Sequence, residues 1–175
     1  RWPNLISMFF AQADKLADQP FLWAKENGSY VSQSWADVAD NVLAISKGLS
    51  ALGIERGDRV VLCSENRPEW PIAHLAIMAA GGITVPVYTT NTVNDHLYIL
   101  SNSGAKAAIV STNNLAERMI PAAHQTDSIS FVVTMEELDI NQASGLDINT
   151  WQSVIAAGNA IEGGIQDSVF TPAGD

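Results

Sequence analysis

The sequence predicts an α/β protein: an open, mostly parallel, doubly wound sheet with helices on both faces, preceded by a helix and a small β-hairpin. Three observations predict it. From Val60 to Val133, short apolar runs of strand length alternate with helix-length segments across short connections, and such alternation implies parallel strands joined by right-handed helical crossovers. Arg59-Val60-Val61-Leu62-Cys63 is apolar at successive positions rather than at alternate ones, as expected of a strand covered on both faces. Two Ser/Thr-x-x-Asp pairs, Ser34 with Asp37 and Thr92 with Asp95, have the spacing of capping boxes at helix starts.

Taken in order, Leu5 to about Leu16 reads as a helix. Phe21 to Lys25 and Tyr30 to Gln33 read as short strands joined through Asn27-Gly28, a dipeptide that accepts the positive φ angles of a tight hairpin. Behind the Ser34 cap, Val38, Val42, Ile45, Leu49 and Leu52 recur at spacings of four, three, four and three. This places one apolar stripe on a helix that Gly53 can end. Arg59 to Cys63 is the first buried strand. Pro68 suits the first turn of a helix to about Ala80, where its missing amide hydrogen costs nothing. Ile83 to Val87 is a strand, Thr92 opens a helix to about Ser101, and Ala107 to Val110 is a strand. Leu115 to His124 is helical, Phe131 to Val133 a further strand, and Thr150 to Ala157 a last helix. The implied organisation is an N-terminal helix and hairpin over 1–34, a parallel α/β subdomain over 35–157, and a linker or frayed end over 158–175, where Gly, Pro, Asn and Asp break any periodicity.

Composition narrows the partners. The 175 residues are 47% hydrophobic and 16% charged, enough apolar content for a core at this length. Nineteen acids against nine Lys and Arg give a net charge of −10, which argues against nucleic acid and anionic membranes as partners. No Lys or Arg follows Arg118, whereas eight carboxylates do, so the last third cannot hold a phosphate with its own side chains. One cysteine, Cys63, excludes an internal disulfide and fits a reducing, cytoplasmic compartment. Ile72 to Val87, the longest apolar region, is broken by His74, Gly81-Gly82 and Thr84, so no integral membrane segment is expected.

Ligands of open parallel sheets bind outside the carboxyl ends of the strands. The loops there are Ser64-Glu65-Asn66-Arg67, Tyr88-Thr89-Thr90-Asn91 and Ser111-Thr112-Asn113-Asn114, and all three are polar. No glycine-rich loop ends in Lys-Ser or Lys-Thr, and neither Gly81-Gly82 nor Gly163-Gly164 has the spacing of a dinucleotide fingerprint. No Gly-x-Ser-x-Gly elbow follows Cys63. His74, His96 and His124 lack the i, i+4 partner of a helical zinc site. No catalytic set and no metal site is therefore read in the sequence. Cys63 reads as a core residue. The candidate substrate-binding residues are Asn66, left in the crevice loop because Pro68 disfavours a helical Arg67, and Tyr88, Thr89 and Thr90. Asn66 could instead brace its loop, and the threonine hydroxyls could instead satisfy loop backbone.

The residues resemble a family. Ser34-Trp35-Ala36-Asp37, Gly48-Leu49, Leu52-Gly53-Ile54 with Gly57-Asp58-Arg59-Val60, Asn66-Arg67-Pro68-Glu69-Trp70, Ala76-Ile77 with Ala80-Gly81, Val85-Pro86-Val87-Tyr88, and Tyr98-Ile99-Leu100 with Ser103-Gly104-Ala105-Lys106 occur in the order and spacing of the N-terminal region of adenylate-forming acyl-CoA synthetases. The resemblance covers about Phe21 to Val110, and Pro86 to Thr92 looks most like the long-chain fatty acyl-CoA ligases. It implies an AMP-forming ligase that activates a fatty acid with ATP and Mg2+ and passes it to coenzyme A. Family members carry a Ser/Thr/Gly-rich phosphate loop with a Lys, a downstream adenine-binding and acidic motif, and a C-terminal lid with a catalytic Lys. None of these is present in the 175 residues. The expectation is thus an N-terminal piece of such an enzyme, inactive alone, cytoplasmic or membrane-peripheral in the parent, and prone to self-association through an exposed subdomain face. The competing expectations are a stand-alone flavodoxin-like small-molecule binding module and a scaffold domain without chemistry.

Overall fold

A computed structural model of the chain describes residues 2–138 and 145–163. Helix α1, Leu5–Leu16, begins where the Asn4 side chain accepts a hydrogen bond from the Ser7 amide at 2.8 Å, and it buries Ile6, Phe9 and Ala13. Strands β1, Pro20–Glu26, and β2, Ser29–Ser34, form the hairpin. Asn27 at φ 48° and Gly28 at φ 87° make its turn, the left-handed pair that an Asn-Gly dipeptide accepts. Helix α2, Trp35–Ala51, opens with both arms of the Ser34–Asp37 capping box in place and buries Val38, Val42, Ile45 and Leu49 of the expected stripe, whose last member, Leu52, is the half-buried C-cap. Phe21 stacks on Trp35 with ring centroids 3.7 Å apart, and Phe9 abuts both rings, so aromatic contact holds α1 and the hairpin onto the start of α2.

The parallel sheet contains β3 (Arg59–Cys63), β4 (Ile83–Pro86), β5 (Ala107–Val110), β6 (Phe131–Thr134) and β7 (Asp147–Thr150), ordered β4-β3-β5-β6-β7. Between them run α3 (Glu69–Ala79), α4 (Val93–Ser103) and α5 (Asn113–His124), and α6 (Trp151–Asn159) follows β7. Strand side chains alternate between faces: Leu62, Ile109, Phe131 and Val133 join α1, α2, α3 and α6 in one core, while Val61, Cys63, Ala108, Val110 and Val132 join α4 and α5 in the other. The sheet is doubly wound, as the alternation predicts.

Most boundaries shift by one or two residues from the sequence reading, β4 for example ending at Pro86 and not Val87, and three differences have a clear local reason. α5 starts two residues early because Thr112, not Leu115, begins it; the Thr112 side chain accepts from the Leu115 amide. β7 has no counterpart among the expected elements: Asp147-Ile148-Asn149-Thr150 carries one apolar residue, which suffices for an edge strand paired on one side only. α6 runs to Asn159, two residues past the expected subdomain limit. Residues 164–175 of the expected linker lie outside the described residues, as do 139–144.

α6 lies against α2 with almost no spacing. A Cβ on Gly158 would fall 1.7 Å from the Ala44 carbonyl oxygen, and one on Gly48 would fall 2.2 Å from the Val154 carbonyl oxygen. Glycine at these two positions is a condition of the contact.

The amino ends of the strands are stitched together. The Arg59 guanidinium donates to the carbonyls of Gly57, Ser103 and Gly104 at 2.7–2.9 Å. Gly104 is the left-handed C-cap of α4, at φ 58°. Lys106 Nζ stands 3.1 Å from Asp58. These contacts join the start of β3, the end of α4 and the approach to β5.

Candidate functional site

At the carboxyl ends of the strands, chain order reverses between β4-β3 and β5-β6-β7, so the switch point lies between β3 and β5. Open α/β sheets take their ligands there. The loops leave the sheet in register: the Val87 amide donates to Leu62, Ser111 to Cys63, and Met135 to Val110. Glu65, just after β3, reaches across the switch point. Its carboxylate accepts hydrogen bonds from Ser111 Oγ and, at 3.5 Å, from Thr112 Oγ1 after β5. Burial alone would raise the Glu65 carboxyl, but the Ser111 bond, its own backbone amide, Thr112 and the Arg67 charge outweigh that and hold it below the usual range. A carboxylate fixed here disfavours a phosphate in the same crevice.

Arg67 is the cation nearest this rim in sequence, and it is already paired. Its guanidinium binds Glu69 at 2.8 Å and Glu136, in the loop after β6, at 2.7 Å. Those bonds raise its already high pKa further. On the other side of β3, Arg118 of α5 donates to the Asn91 carbonyl at 3.0 Å and to Asn114 Oδ1 at 2.9 Å, tying α5 to the loop after β4. Beneath that loop His96 is fully buried with neither ring nitrogen bonded, and Asn91 Nδ2 is likewise buried without a partner among the described residues. Burial, and secondarily the Arg118 charge, lowers the His96 pKa, so the ring is neutral at neutral pH.

The four sequence candidates all reach this rim. Asn66 is exposed in the loop after β3, and its side chain makes no hydrogen bond to described residues, so it does not brace the loop. Tyr88 is 80% exposed after β4, with its carbonyl 3.9 Å from Cys63 Sγ. Thr89 is half-buried and Thr90 exposed, and neither hydroxyl bonds to loop backbone. β3 and β4 are neighbours, so the Asn66 loop and the Tyr88-Thr89-Thr90 loop leave adjacent strands, and Glu65 ties the first of them to the loop after β5. Cys63 is buried and its thiol is pushed up to about 11, so it is a core residue rather than a nucleophile. Sequence reasoning missed the Glu65 bridge and the Arg118–Asn91 tie, because both need the strand order and no local pattern encodes them.

Among the described residues no group of three His, Cys, Asp or Glu could hold a metal ion, and no helix is long and apolar enough to cross a membrane. The rim offers amide, hydroxyl and aromatic groups, the bonded carboxylates Glu65, Glu69 and Glu136, and the guanidiniums of Arg67 and Arg118. It can line a site for neutral or apolar groups; of its two cations, Arg67 is paired with carboxylates and Arg118 with neutral oxygens.

The sequence matches the family described as AMP-binding enzyme over residues 9–165. The long-chain-fatty-acid--CoA ligase FadD15 of Mycobacterium tuberculosis is 32% identical over 113 residues, covering 65% of this chain and 19% of the ligase. Long chain acyl-CoA synthetase 3 of Arabidopsis thaliana is 25% identical over 161 residues, covering 86% of this chain and 24% of the synthetase. The chain thus spans about a fifth to a quarter of these relatives. Among solved structures, the adenylation domain of the carboxylate reductase from Mycobacterium chelonae superposes with a TM-score of 0.78 at 17% identity, over 92% of this chain and 30% of that one. A long-chain-fatty-acid-CoA ligase from Archaeoglobus fulgidus gives 0.71 at 18% identity, over 88% and 30%. At those identities the superpositions speak for the fold.

Proposed function

Because the chain belongs to the AMP-binding enzyme family, we propose that it builds one wall of an ATP-dependent acyl-CoA ligase whose substrate is a long-chain fatty acid. The observation that carries this reading is the family match over residues 9–165, with relatives named as long-chain-fatty-acid ligases. The stand-alone binding module is disfavoured by the same match.

In the proposed reaction a fatty acid carboxylate attacks the α-phosphorus of ATP, pyrophosphate leaves, and the thiol of coenzyme A displaces AMP from the acyl adenylate. Adenylation turns a poor leaving group into a good one, and electropositive donors must meet the charge that develops on the phosphates. Of this chain's rim cations Arg67 is bound to two carboxylates and Arg118 is engaged by the Asn91 carbonyl and Asn114. The described residues assemble no carboxylate cluster for Mg2+, so the second role is left to other residues of the parent. Magnesium accordingly has no step assigned to residues of this chain. Their part is to shape the site. Asn66, Tyr88, Thr89 and Thr90 face substrate from the carboxyl ends of β3 and β4, and Glu65 holds the β3 and β5 loops at a fixed spacing.

The chain by itself is proposed to be inactive, with a cytoplasmic or membrane-peripheral parent and with self-association through an exposed subdomain face. Acid-dependent pyrophosphate release tests the reading. The gene product containing this chain should release pyrophosphate from ATP only when a long-chain fatty acid is added, and the 175-residue chain should not. A gene product without that activity refutes the function, and turnover by the chain unaided refutes its role as a wall.

A further inference from the structure

Helix α4 is less firmly anchored than α5, its neighbour on the same face of the sheet. It fully buries two side chains, His96 and Leu100, against six in α5. Its first turns are therefore held down by one imidazole, with half-buried Val93 and Leu97 beside it. The His96 ring has no exposed surface, and neither nitrogen has a hydrogen-bond partner among the described residues. A ring in that setting packs as an apolar group only while it carries no charge. Upstream of it, residues 88–92 are tied down by two side chains: Arg118 donates to the Asn91 carbonyl at 3.0 Å, and the Cys63 thiol lies 3.9 Å from the Tyr88 carbonyl. Segments with so few buried contacts open locally before a fold unfolds as a whole.

The groups around the ring decide what a proton does there. From α5 comes the Arg118 guanidinium, whose partners are neutral oxygens; Glu117 and His124 of the same helix are exposed. The carboxyl end of β3 brings Cys63, whose thiol stays protonated. β4 brings no titratable side chain, and Tyr88 after it is exposed. The carboxylate that favours a charged ring is Asp95, which is exposed and bonded to the Thr92 amide and hydroxyl. Turning inward to meet the ring would break the capping box that starts α4. Burial first, then Arg118, thus keep the ring neutral. We propose that His96 is a proton-operated pin: uptake of one proton at its ring releases the first two turns of α4 together with residues 88–92, while the sheet stays folded. The charged ring gains water only by leaving its site, and it repels the guanidinium that ties down Asn91. The released segment carries Tyr88, Thr89 and Thr90, so acid takes apart that side of the substrate crevice; this consequence rests on the proposed function, and the release itself does not.

Native-state amide hydrogen exchange on the 175-residue chain, from about pH 7 to about pH 5.5, tests this without any substrate. Ordinary carboxylates stay ionised across that window. After correction for intrinsic exchange, the amides of His96, Leu97 and Tyr98 should open more easily than those of Val61 and Ile109 in the sheet. Their opening constant should rise about eightfold between the two pH values, the factor for a group that stays neutral when closed and titrates near 6.5 when open. His96→Leu should keep these amides protected and abolish the rise; His74 and His124 remain in that variant, so a rise that survives belongs to them and overturns the proposal. Amides of residues 96–98 that exchange only together with those of β3 and β5 overturn it too. The wild-type chain supplies a readout that needs no variant: a His96 ring proton signal that titrates near 6.5 while the same amides stay protected would mean that the ring takes its proton in place, against the proposal. A parent without ligase activity would leave all of these readouts standing.

Discussion

Replacing Gly158 by alanine puts the α2–α6 contact under the most direct strain the fold allows. The added Cβ would stand 1.7 Å from the Ala44 carbonyl oxygen, 2.6 Å from its carbon and 3.0 Å from the Gly48 nitrogen. All three are backbone atoms inside a helix, so no rotamer change relieves them. Reaching 3.4 Å, the lower limit of ordinary contact, requires α6 to withdraw by about 1.7 Å. That displacement lifts Trp151 and Val154, now 6% and 1% exposed, out of the core. Full loss of two large apolar side chains bounds the cost at about 3–6 kcal/mol. Alanine returns about 1 kcal/mol through its helix propensity, and partial relaxation lowers the cost further. The expected net destabilisation is about 2–4 kcal/mol, a large share of the stability of a domain this size. Urea unfolding at unchanged m-value, followed by far-UV circular dichroism, measures it. Gly48→Ala, whose Cβ meets the Val154 carbonyl at 2.2 Å, should act on the same contact, so the double variant should cost less than the sum of the two. A Gly158→Ala chain as stable as the parent, or more so, would show that α6 does not dock as described.

Other consequences can be measured separately. His96 has a depressed pKa in the fold, so the unfolded chain takes up the proton first: its contribution is constant above the unfolded value near 6.5 and is lost as pH falls from there toward the folded value. His96→Leu should remove that segment of a Tm-against-pH curve and, by deleting an unpartnered buried group, should leave stability unchanged or raise it by about 1–3 kcal/mol; a large loss would mean the ring has a partner. Glu65 also has a lowered pKa, so its bridge should stabilise fully above the unfolded carboxyl value and fade as pH falls through the folded one. Glu65→Gln should flatten that acid limb, and an unchanged limb would argue against the bridge. Cys63, with its thiol near 11, is about one part in a thousand ionised at pH 8, so iodoacetamide should modify it only after unfolding. Rapid labelling of the native chain would contradict its burial.

How much of this can be read from residues alone depends on whether the determinant is local. The Ser34–Asp37 and Thr92–Asp95 boxes, the Asn27-Gly28 turn and the apolar runs of β3 and β5 carry their structural reason within five residues, and each appears where the sequence places it. β7 lacks such a signal, because a polar edge strand is held by its neighbour and not by its own composition. Within the candidate site, the polar loops are legible as loops at strand ends. That Glu65 meets Ser111 is not, since 46 residues separate them and only the strand order brings them together. The freedom of the Asn66, Thr89 and Thr90 side chains is likewise a fact about what the neighbouring loops leave unbonded.

The stitching by Arg59 has an effect on how such a fold can diversify. With one guanidinium holding three carbonyls and Lys106 beside Asp58, the floor of the sheet tolerates little change without losing several bonds at once. The opposite rim is held by side-chain ties between loops, the Glu65 bridge and the Arg67 pairs among them, rather than by bonds to strand and helix backbone. Substitutions and insertions will therefore accumulate on the upper side, where they retune which molecules are welcomed, while the foundation below keeps every variant standing.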